Sequence, residues 1–351
     1  MENKKVLLGI LCNETEDDHL FWLKACQEIK QKIEYRLISF TGPNWLEEVK
    51  AYPFEYFLAK PSGISSHFKQ LYDERIHIVA QLGMKVYPSP QEIYIYENKR
   101  YFYSWAAAHQ LPHPQTKIFY ISGEATTFAR TATYPMVAKT NIGASGSGVQ
   151  LLQNKEEALQ YIQNCFTGKG APRRWGPNMD KGAWLKRGMQ YFLSPSRIAQ
   201  KVKIYQSRKS DVQKGFVIFQ EFVPHDFEWR VVVIGDSYFA HKKLKIGEKA
   251  SGTLLKSYDK PPLSLLDFAK SIMQEFGFFS QAIDIMETKS GEYIINEMQC
   301  IFGQSDPYQM LVDGKPGRFR FVNKEWVFEE GNFNTNASYD LRLRHVIDSL
   351  K

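Results

Sequence analysis

Two acidic residues interrupt otherwise apolar stretches late in the chain, Asp284 in AIDIM and Glu297 in INEMQ. Burying a lone carboxylate is costly unless a cation or a hydrogen-bond donor compensates it. The plain alternative is an ion pair with a nearby lysine. A second signal lies upstream, in YPMVAKTNIGASGSGVQLL, where Lys139 precedes glycines 143, 146 and 148. Glycines that crowded let backbone N–H groups close around a phosphate. Acidic strands together with a phosphate loop favour Mg²⁺, a hard cation that takes oxygen ligands and shares them with phosphates.

The order of residues excludes three familiar phosphate loops. A P-loop ends in Gly-Lys-Ser/Thr, but Gly148 is followed by Val149 and Gln150. A kinase loop has its lysine on a later strand, whereas Lys139 comes first. A dinucleotide fingerprint opens a helix, and this loop runs into the strand-like VQLL. What remains is a strand-end lysine followed by a glycine-serine hairpin. The lysine neutralises phosphate from the sheet, and the hairpin folds over it as a lid.

This device resembles the ATP-grasp superfamily, carboxylate–amine ligase type, and further motifs follow in the family's order over residues 96 to 305. NKRYFYSWAAAHQLPHPQT places Lys99 where the family has an earlier lysine. FQEFVPHDFEWR matches the hinge, with Glu221, Phe222, Val223, Asp226 or Glu228, and Arg230. Asp284 and Glu297-Met298-Gln299 match an Asp and a Glu-x-Asn pair of metal ligands, with Gln299 in place of asparagine. The glutamine keeps the amide oxygen and adds a methylene.

The resemblance implies ATP held by Lys99, Lys139 and the loop residues Gly143, Ser145, Gly146, Ser147 and Gly148. Phe222 and Val223 would wall the adenine pocket, and Asp226 or Glu228 would close the nucleotide side. Glu221 either binds the nucleotide or pairs across strands. Asp284, Glu297 and Gln299 would hold two Mg²⁺ ions, for which Mn²⁺ can substitute. Arg230 would steady the transferring phosphoryl group or a substrate carboxylate, as suits a bidentate donor, with Lys243 and then Lys245 as further cations. The implied activity is an ADP-forming ligase joining an anionic carboxylate to an amine through an acyl phosphate. A kinase acting on a hydroxyl, and a nucleotide-gated module gripping an anionic polymer, stay open.

These residues need a scaffold, and the sequence outlines one. Residues 1–95 alternate strands such as VLLGILC, YRLISF and EYFLAK with helical segments, which implies a parallel, Rossmann-like sheet. No glycine fingerprint follows its first strand, so no dinucleotide is expected there. A two-subdomain α+β ATP-grasp unit follows, with its lid and a basic insertion at 165–215 inside residues 96–225. Its metal site falls in 226–312, and 313–351 is an extension read as a strand pair and a helix. The metal strands form one hairpin, SQAIDIMETKSGEYIINEMQC, around a glycine-bearing turn.

Composition bounds the rest. With 351 residues, 43% hydrophobic and 14% aromatic, the chain can bury a sizeable core. No apolar run reaches about 18 residues, so no membrane span is expected. The start, MENKKVLLGILCNE, is too short and too soon polar for a signal peptide. Four scattered cysteines without a CxxC pair read as reduced and cytoplasmic. The net charge of +7 is local. Residues 165–215 hold twelve Lys or Arg against Asp180 and Asp211, a net +10 that leaves −3 elsewhere. The plain reading is a solvated insertion; no nucleic-acid motif accompanies the charge, and a phosphorylated or carboxylated substrate explains it at least as well as RNA or DNA. A homodimer is compatible with the sequence but not indicated by it.

Overall fold

The computed structural model describes residues 5–143, 146–173, 195–246, 249–250, 255–302 and 306–350. Strands β1 (Val6–Cys12), β2 (Ile33–Ser39), β3 (Tyr56–Ala59) and β4 (Val86–Tyr87) form a parallel sheet in the order β2-β1-β3-β4. Helices α1 (Leu20–Glu28), α2 (Trp45–Lys50) and α3 (Ser66–Gln81) connect them. Buried residues fall into two clusters, one around Leu11, Phe57, Tyr72 and Ile76, the other around Leu8, Ile10, Trp22 and Leu58. Alternate residues of β1 thus enter different cores, as a sheet covered on both faces requires.

Helices α4 (Pro90–Ile95) and α5 (Lys99–Ala108) lead into a four-stranded antiparallel sheet. Its strands β5 (Thr116–Phe119), β6 (Met136–Lys139), β7 (Val149–Leu152) and β8 (Val217–Glu221) run in the order β5-β8-β6-β7. Helices α6 (Ser122–Thr131) and α7 (Lys155–Phe166) share a core with it that includes Ala129, Tyr161, Ile162 and Phe219. Asn154 caps α7 by accepting from Glu157 N (3.0 Å), while the Glu157 carboxylate reaches Gln153 N. Helix α8 (Pro195–Ser210) lies within the basic insertion.

The third sheet is the largest. Strands β9 (Phe227–Ile234), β10 (Ser237–Ile246), β11 (Lys249–Ala250) and β12 (Lys256–Ser257) precede helix α9 (Leu263–Glu275). After it come β13 (Ser280–Glu287), β14 (Tyr293–Gln299), β15 (Leu311–Val312), β16 (Lys315–Val322) and β17 (Glu325–Glu330). The order is β14-β13-β9-β10-β16-β15, with β11 and β12 on β10 and β17 on β16. The turn between β13 and β14 uses Gly291 at φ +82°. An α/β unit with a parallel sheet, followed by two antiparallel sheets with helices, is the architecture expected from the sequence.

Two devices fix the first unit against the third sheet. Glu92 of α4 closes a capping box with Ser89 and also accepts from Ser280 N (2.7 Å) and Phe279 N (3.0 Å), the start of β13. The C-terminal tail forms the hairpin β16–β17 and the helix α10 (Tyr339–Asp348), which returns to the parallel sheet. There Tyr339, Leu343 and Val346 share a core with Trp22 and Tyr87. The strand carrying Asp284 is therefore held at its base by both flanking segments.

Candidate active site

In the largest sheet, Asp284 of β13 sits opposite both Arg230 of β9 and Glu297 of β14, while Glu228 of β9 sits opposite Lys243 of β10. Glu228 and Arg230, two apart on one strand, share a face. Arg230 Nε and Nη2 donate to the two oxygens of Asp284, both at 2.8 Å. Lys243 Nζ donates at 2.7 Å to Asp284 Oδ2 and to Glu228 Oε2. Asp284 is thus claimed by two cations at once. Burial works to raise its pKa, but Arg230 and Lys243 outweigh it and hold the carboxyl below the usual range. Burial likewise works against the Lys243 ammonium, and Asp284 and Glu228 hold its pKa above the usual value.

A β-bulge makes the next contact. The β13–β14 register shifts between Asp284 and Ile285, so Glu297 faces Asp284 and Ile295 faces Ile285, leaving Asn296 unpaired between them. In a regular strand Asn296 and Glu297 would point to opposite faces; a bulge re-aims a side chain. Asn296 Nδ2 donates to Glu228 Oε1 (2.8 Å) and its Oδ1 accepts from Lys139 Nζ (2.8 Å). Lys139 also donates to the Tyr103 hydroxyl (2.6 Å), which donates to Asn296 O (2.9 Å). Glu297 Oε1 pairs with Lys99 Nζ (3.2 Å) and accepts from Gln299 Nε2 (2.9 Å). The other amide atom, Gln299 Oε1, is buried and has no partner among the described residues.

Lys139 of the smaller sheet therefore meets Asn296 of the larger one, and Lys99 at the start of α5 meets Glu297. Their own region folds to bring them together. Asn141, two residues beyond Lys139, accepts at its backbone and side-chain oxygens from the amides of Lys99 and Arg100, the start of α5. Gln213 holds Ile142 at both its N–H (3.0 Å) and its C=O (2.8 Å). Lys99 Nζ reaches Gly143 O (3.3 Å), and Gly143 N donates to Glu97 (3.1 Å). Burial lowers the Lys139 pKa to about 8, reinforced by repulsion from Lys99. Lys99 itself is also penalised by burial, yet Glu297 and Glu97 hold it above the usual value.

The loop beyond is a tight hairpin. Thr140 N donates to Gly148 O (2.9 Å), and Gly146 has φ +68°. A Cβ at Gly148 would lie 1.8 Å from Thr140 Oγ1, so only glycine fits. Ser147 Oγ faces Gly143, 3.3 Å from where a Cβ would stand. Ser145 lies outside the described residues.

The remaining sequence candidates sit at the margins. Glu221 is exposed and accepts from Gln115 N (2.8 Å), joining β8 to the chain before β5. Phe222 and Val223 are half-buried in the link to β9. Asp226 is exposed and lines a separate cleft with Lys242, Lys260 and Glu287. Of the two acids offered for that position, Glu228 is the one in the ion network. Lys245 donates to His225 O (3.0 Å). Sequence reading missed Tyr103, Asn296, Glu97 and Gln213. Asn296 lies beside Glu297 in INEMQ, but strand alternation assigns it to the wrong face, and only the bulge reverses that.

The described part of the basic insertion spends charge on the protein's own acids. Arg173 Nη1 pairs with Asp211 (3.1 Å), which also accepts from Ser66 N (3.0 Å). Lys203 of α8 pairs with Glu16 (2.9 Å). Arg174, Lys181, Lys186 and Arg187 lie outside the described residues, as do the aromatics Trp175, Trp184, Tyr191 and Phe192.

No family model matches the sequence, and no curated protein matches it. Solved structures do match it in three dimensions, and they are ATP-grasp proteins. D-cycloserine synthetase DcsG aligns at TM-score 0.55 and 11% identity, over 98% of this chain and 100% of that one. N5-carboxyaminoimidazole ribonucleotide synthetase from Thermotoga maritima aligns at 0.54 and 13%, over 97% and 76%. D-alanine–D-alanine ligase from Bacillus anthracis aligns at 0.53 and 10%, over 98% and 96%. Identities this low establish the fold and nothing finer.

Proposed function

From the ATP-grasp fold of this chain, we propose an ATP-dependent ligase that joins a carboxylate to an amine and releases ADP and phosphate. The observation that carries the reading is the cross-sheet network, in which Lys99, Arg230 and Lys243 meet Glu228, Asp284 and Glu297, Gln299 joins at Glu297, and Lys139 joins through Asn296. The donor set fits a hard cation. Gln299 offers a buried amide oxygen, unpartnered among the described residues, beside Glu297, and oxygen ligands of this kind suit Mg²⁺ or Mn²⁺. Asp284, Glu297 and Gln299 are the residues that would hold it. When bound, MgATP supplies the phosphoryl group and the divalent charge that screens it.

The protein's own part is positioning and charge neutralisation, which phosphoryl transfer needs more than proton transfer. Lys99 and Lys139 bring cations to the phosphates from the lid side. Arg230 presents a planar fork suited to a carboxylate or an acyl phosphate. His241, although near the network, is driven to a pKa of about 3 by burial and then by Arg230, so it stays neutral and is no proton donor near pH 7. The hinge residues Phe222 and Val223 wall the base. No protein nucleophile is required.

The test is ADP release screened against carboxylate and amine pools with Mg²⁺, with the product identified by mass. Added hydroxylamine should divert a ligase to a hydroxamate of its carboxylate. A kinase gives no hydroxamate and a phosphorylated alcohol instead. A binding module shows no substrate-stimulated ATP turnover at all.

Lys139 yields a further prediction. Near pH 8 roughly half of it is neutral in the nucleotide-free protein. A bound triphosphate favours the ammonium, so nucleotide binding should take up roughly half a proton at that pH. Calorimetry in buffers of different ionisation enthalpy measures the uptake. Lys139→Arg, always charged, should lose that share; equal uptake in both proteins would remove Lys139 from the phosphate site.

The undescribed cations of the insertion give another. We propose that they recognise a second anionic group on the substrate, since four cations already serve the network. Replacing Arg174, Lys186 and Arg187 with Gln should raise KM for that substrate, more at low salt, and leave KM for ATP nearly unchanged. Unchanged constants at two salt concentrations would reduce the segment to a solvated insertion.

A further inference from the structure

The loop between β1 and α1, residues 13–19, brings together three groups that the proposed ligase chemistry does not use. Cys12 ends β1, and Asp18 and His19 immediately precede α1. One ligand atom from each, the Cys12 sulfur, an Asp18 oxygen and a His19 ring nitrogen, lies within 4.8 Å of the other two. His19 Nδ1 is 3.2 Å from Asp18 Oδ1.

The loop's own hydrogen bonds produce this convergence. Asn13 Oδ1 accepts from Thr15 N (2.8 Å), and Asn13 N donates to Asp18 Oδ2 (2.8 Å). Asn13 Nδ2 donates to Lys60 O (3.0 Å), tying the turn to the end of β3. The chain folds back so that residues six and seven positions beyond Cys12 stand beside it. The site lies at the carboxyl edge of the parallel sheet, where open α/β sheets place their ligands.

Charge balance points the same way. Asp18 is 1% exposed, and among the described residues its only ion-pair partner is His19. Glu14, in the same loop, holds a buried carboxylate oxygen with no hydrogen-bond partner among the described residues, its other oxygen accepting from Ser62. The Cys12 thiol makes a long contact, 3.7 Å, to Ile10 O. Lys60 is the cation that acts on these carboxylates, against Glu14, Asp17 and Asp18, so acidic groups outnumber it beside the thiol and the imidazole.

We propose that Cys12, Asp18 and His19 bind a borderline-soft divalent ion of the Zn²⁺ class, separate from the proposed Mg²⁺ site. A thiolate, an imidazole and a carboxylate form a set that selects such an ion over Mg²⁺. Ligands of tetrahedral zinc stand about 3.3 to 3.8 Å apart, so the two Asp18–His19 atoms already fit and the sulfur, within 4.8 Å of both, needs to close by no more than about 1 Å. Binding releases the thiol proton to solvent. Asn13 N remains on the second oxygen of Asp18 and orients the carboxylate. Three protein ligands leave a fourth position for water or a heteroatom of a small molecule. The spacing, Cys-x5-Asp-His, matches no standard sequence pattern for zinc.

Cobalt(II) tests this directly, because a thiolate bound to Co²⁺ gives a near-ultraviolet charge-transfer band and tetrahedral Co²⁺ gives strong visible bands. Metal-free protein carrying Glu297→Gln, to weaken the other site, should take up one Co²⁺ per chain with both bands, and Zn²⁺ should abolish them. Cys12→Ser should lose the charge-transfer band, and His19→Ala should weaken binding at least tenfold, with circular dichroism unchanged. Cys165→Ser serves as the control and should behave like its parent. Absence of saturable one-to-one binding, or a charge-transfer band that survives Cys12→Ser, overturns the site. Because no nucleotide or substrate enters the assay, the result is independent of the ligase reading.

Discussion

Replacing Glu297 with glutamine is expected to lower kcat by roughly 10³-fold while leaving the protein folded. The size follows from removing a carboxylate that compensates phosphate charge only when metal is bound, several kcal/mol at about 1.4 kcal/mol per tenfold. The fold survives because the Glu297 side chain is 25% exposed and its partner Lys99 keeps the bond to Gly143 O. Glu97 also remains to compensate the buried Lys99, so the loss of stability should stay below the roughly 3–5 kcal/mol of an uncompensated buried charge. Steady-state ADP release, together with thermal melting, gives both numbers. The isosteric amide leaves Gln299 and Lys99 their hydrogen-bonding geometry, so activity near that of the parent chain would remove the metal assignment and with it the main support for the ligase reading.

How much of this site the sequence revealed depended on the kind of signal. Asp284, Glu297 and Lys139 were legible because each is a charged residue in an apolar strand, where burial makes the charge conspicuous. The sheets were legible for a related reason, since β1 reads as an unbroken apolar run and β8 and β13 carry the short apolar stretches VIF and AIDIM. The partners were harder. Arg230 invited pairing with Asp226 or Glu228, close in sequence, yet its bidentate partner is Asp284, brought opposite by the β9–β13 register. Long-range register is set by the whole sheet and leaves no local trace. Asn296 was hidden by a single-residue bulge, and Tyr103 by its place in a helix whose other aromatics, Phe102 and Trp105, are core. The 66–81 helix was also absent from the sequence reading, although Ser65 caps it by accepting from Phe68 N.

The second large effect falls on stability. Asp284→Asn keeps the side-chain volume but leaves Arg230 and Lys243 with Glu228 as the remaining carboxylate of their trio. Breaking a buried pair by removing one partner costs about 3–5 kcal/mol, because the charge left behind has no compensation. Urea unfolding at pH 7 should therefore show a loss of that order, on top of the loss of turnover. The sign of the pH dependence is fixed by the depressed Asp284 pKa. Its stabilisation is fully present above the ordinary carboxyl value of 3.8 and fades as pH falls through the lower folded value. The gap between parent and variant should thus be flat from about pH 5 to 8 and narrow in acid below about pH 4. Counting charges gives a sharper version. Arg230→Met combined with Asp284→Leu removes one cation and one anion and leaves Lys243 matched by Glu228, 2.7 Å away. The double variant should be more stable than either Asp284→Leu or Arg230→Met alone, a coupling of about 1–3 kcal/mol for groups in contact. A double variant whose loss equals the sum of the two singles would mean that Arg230 and Asp284 do not compensate each other, and the ion network would lose its centre.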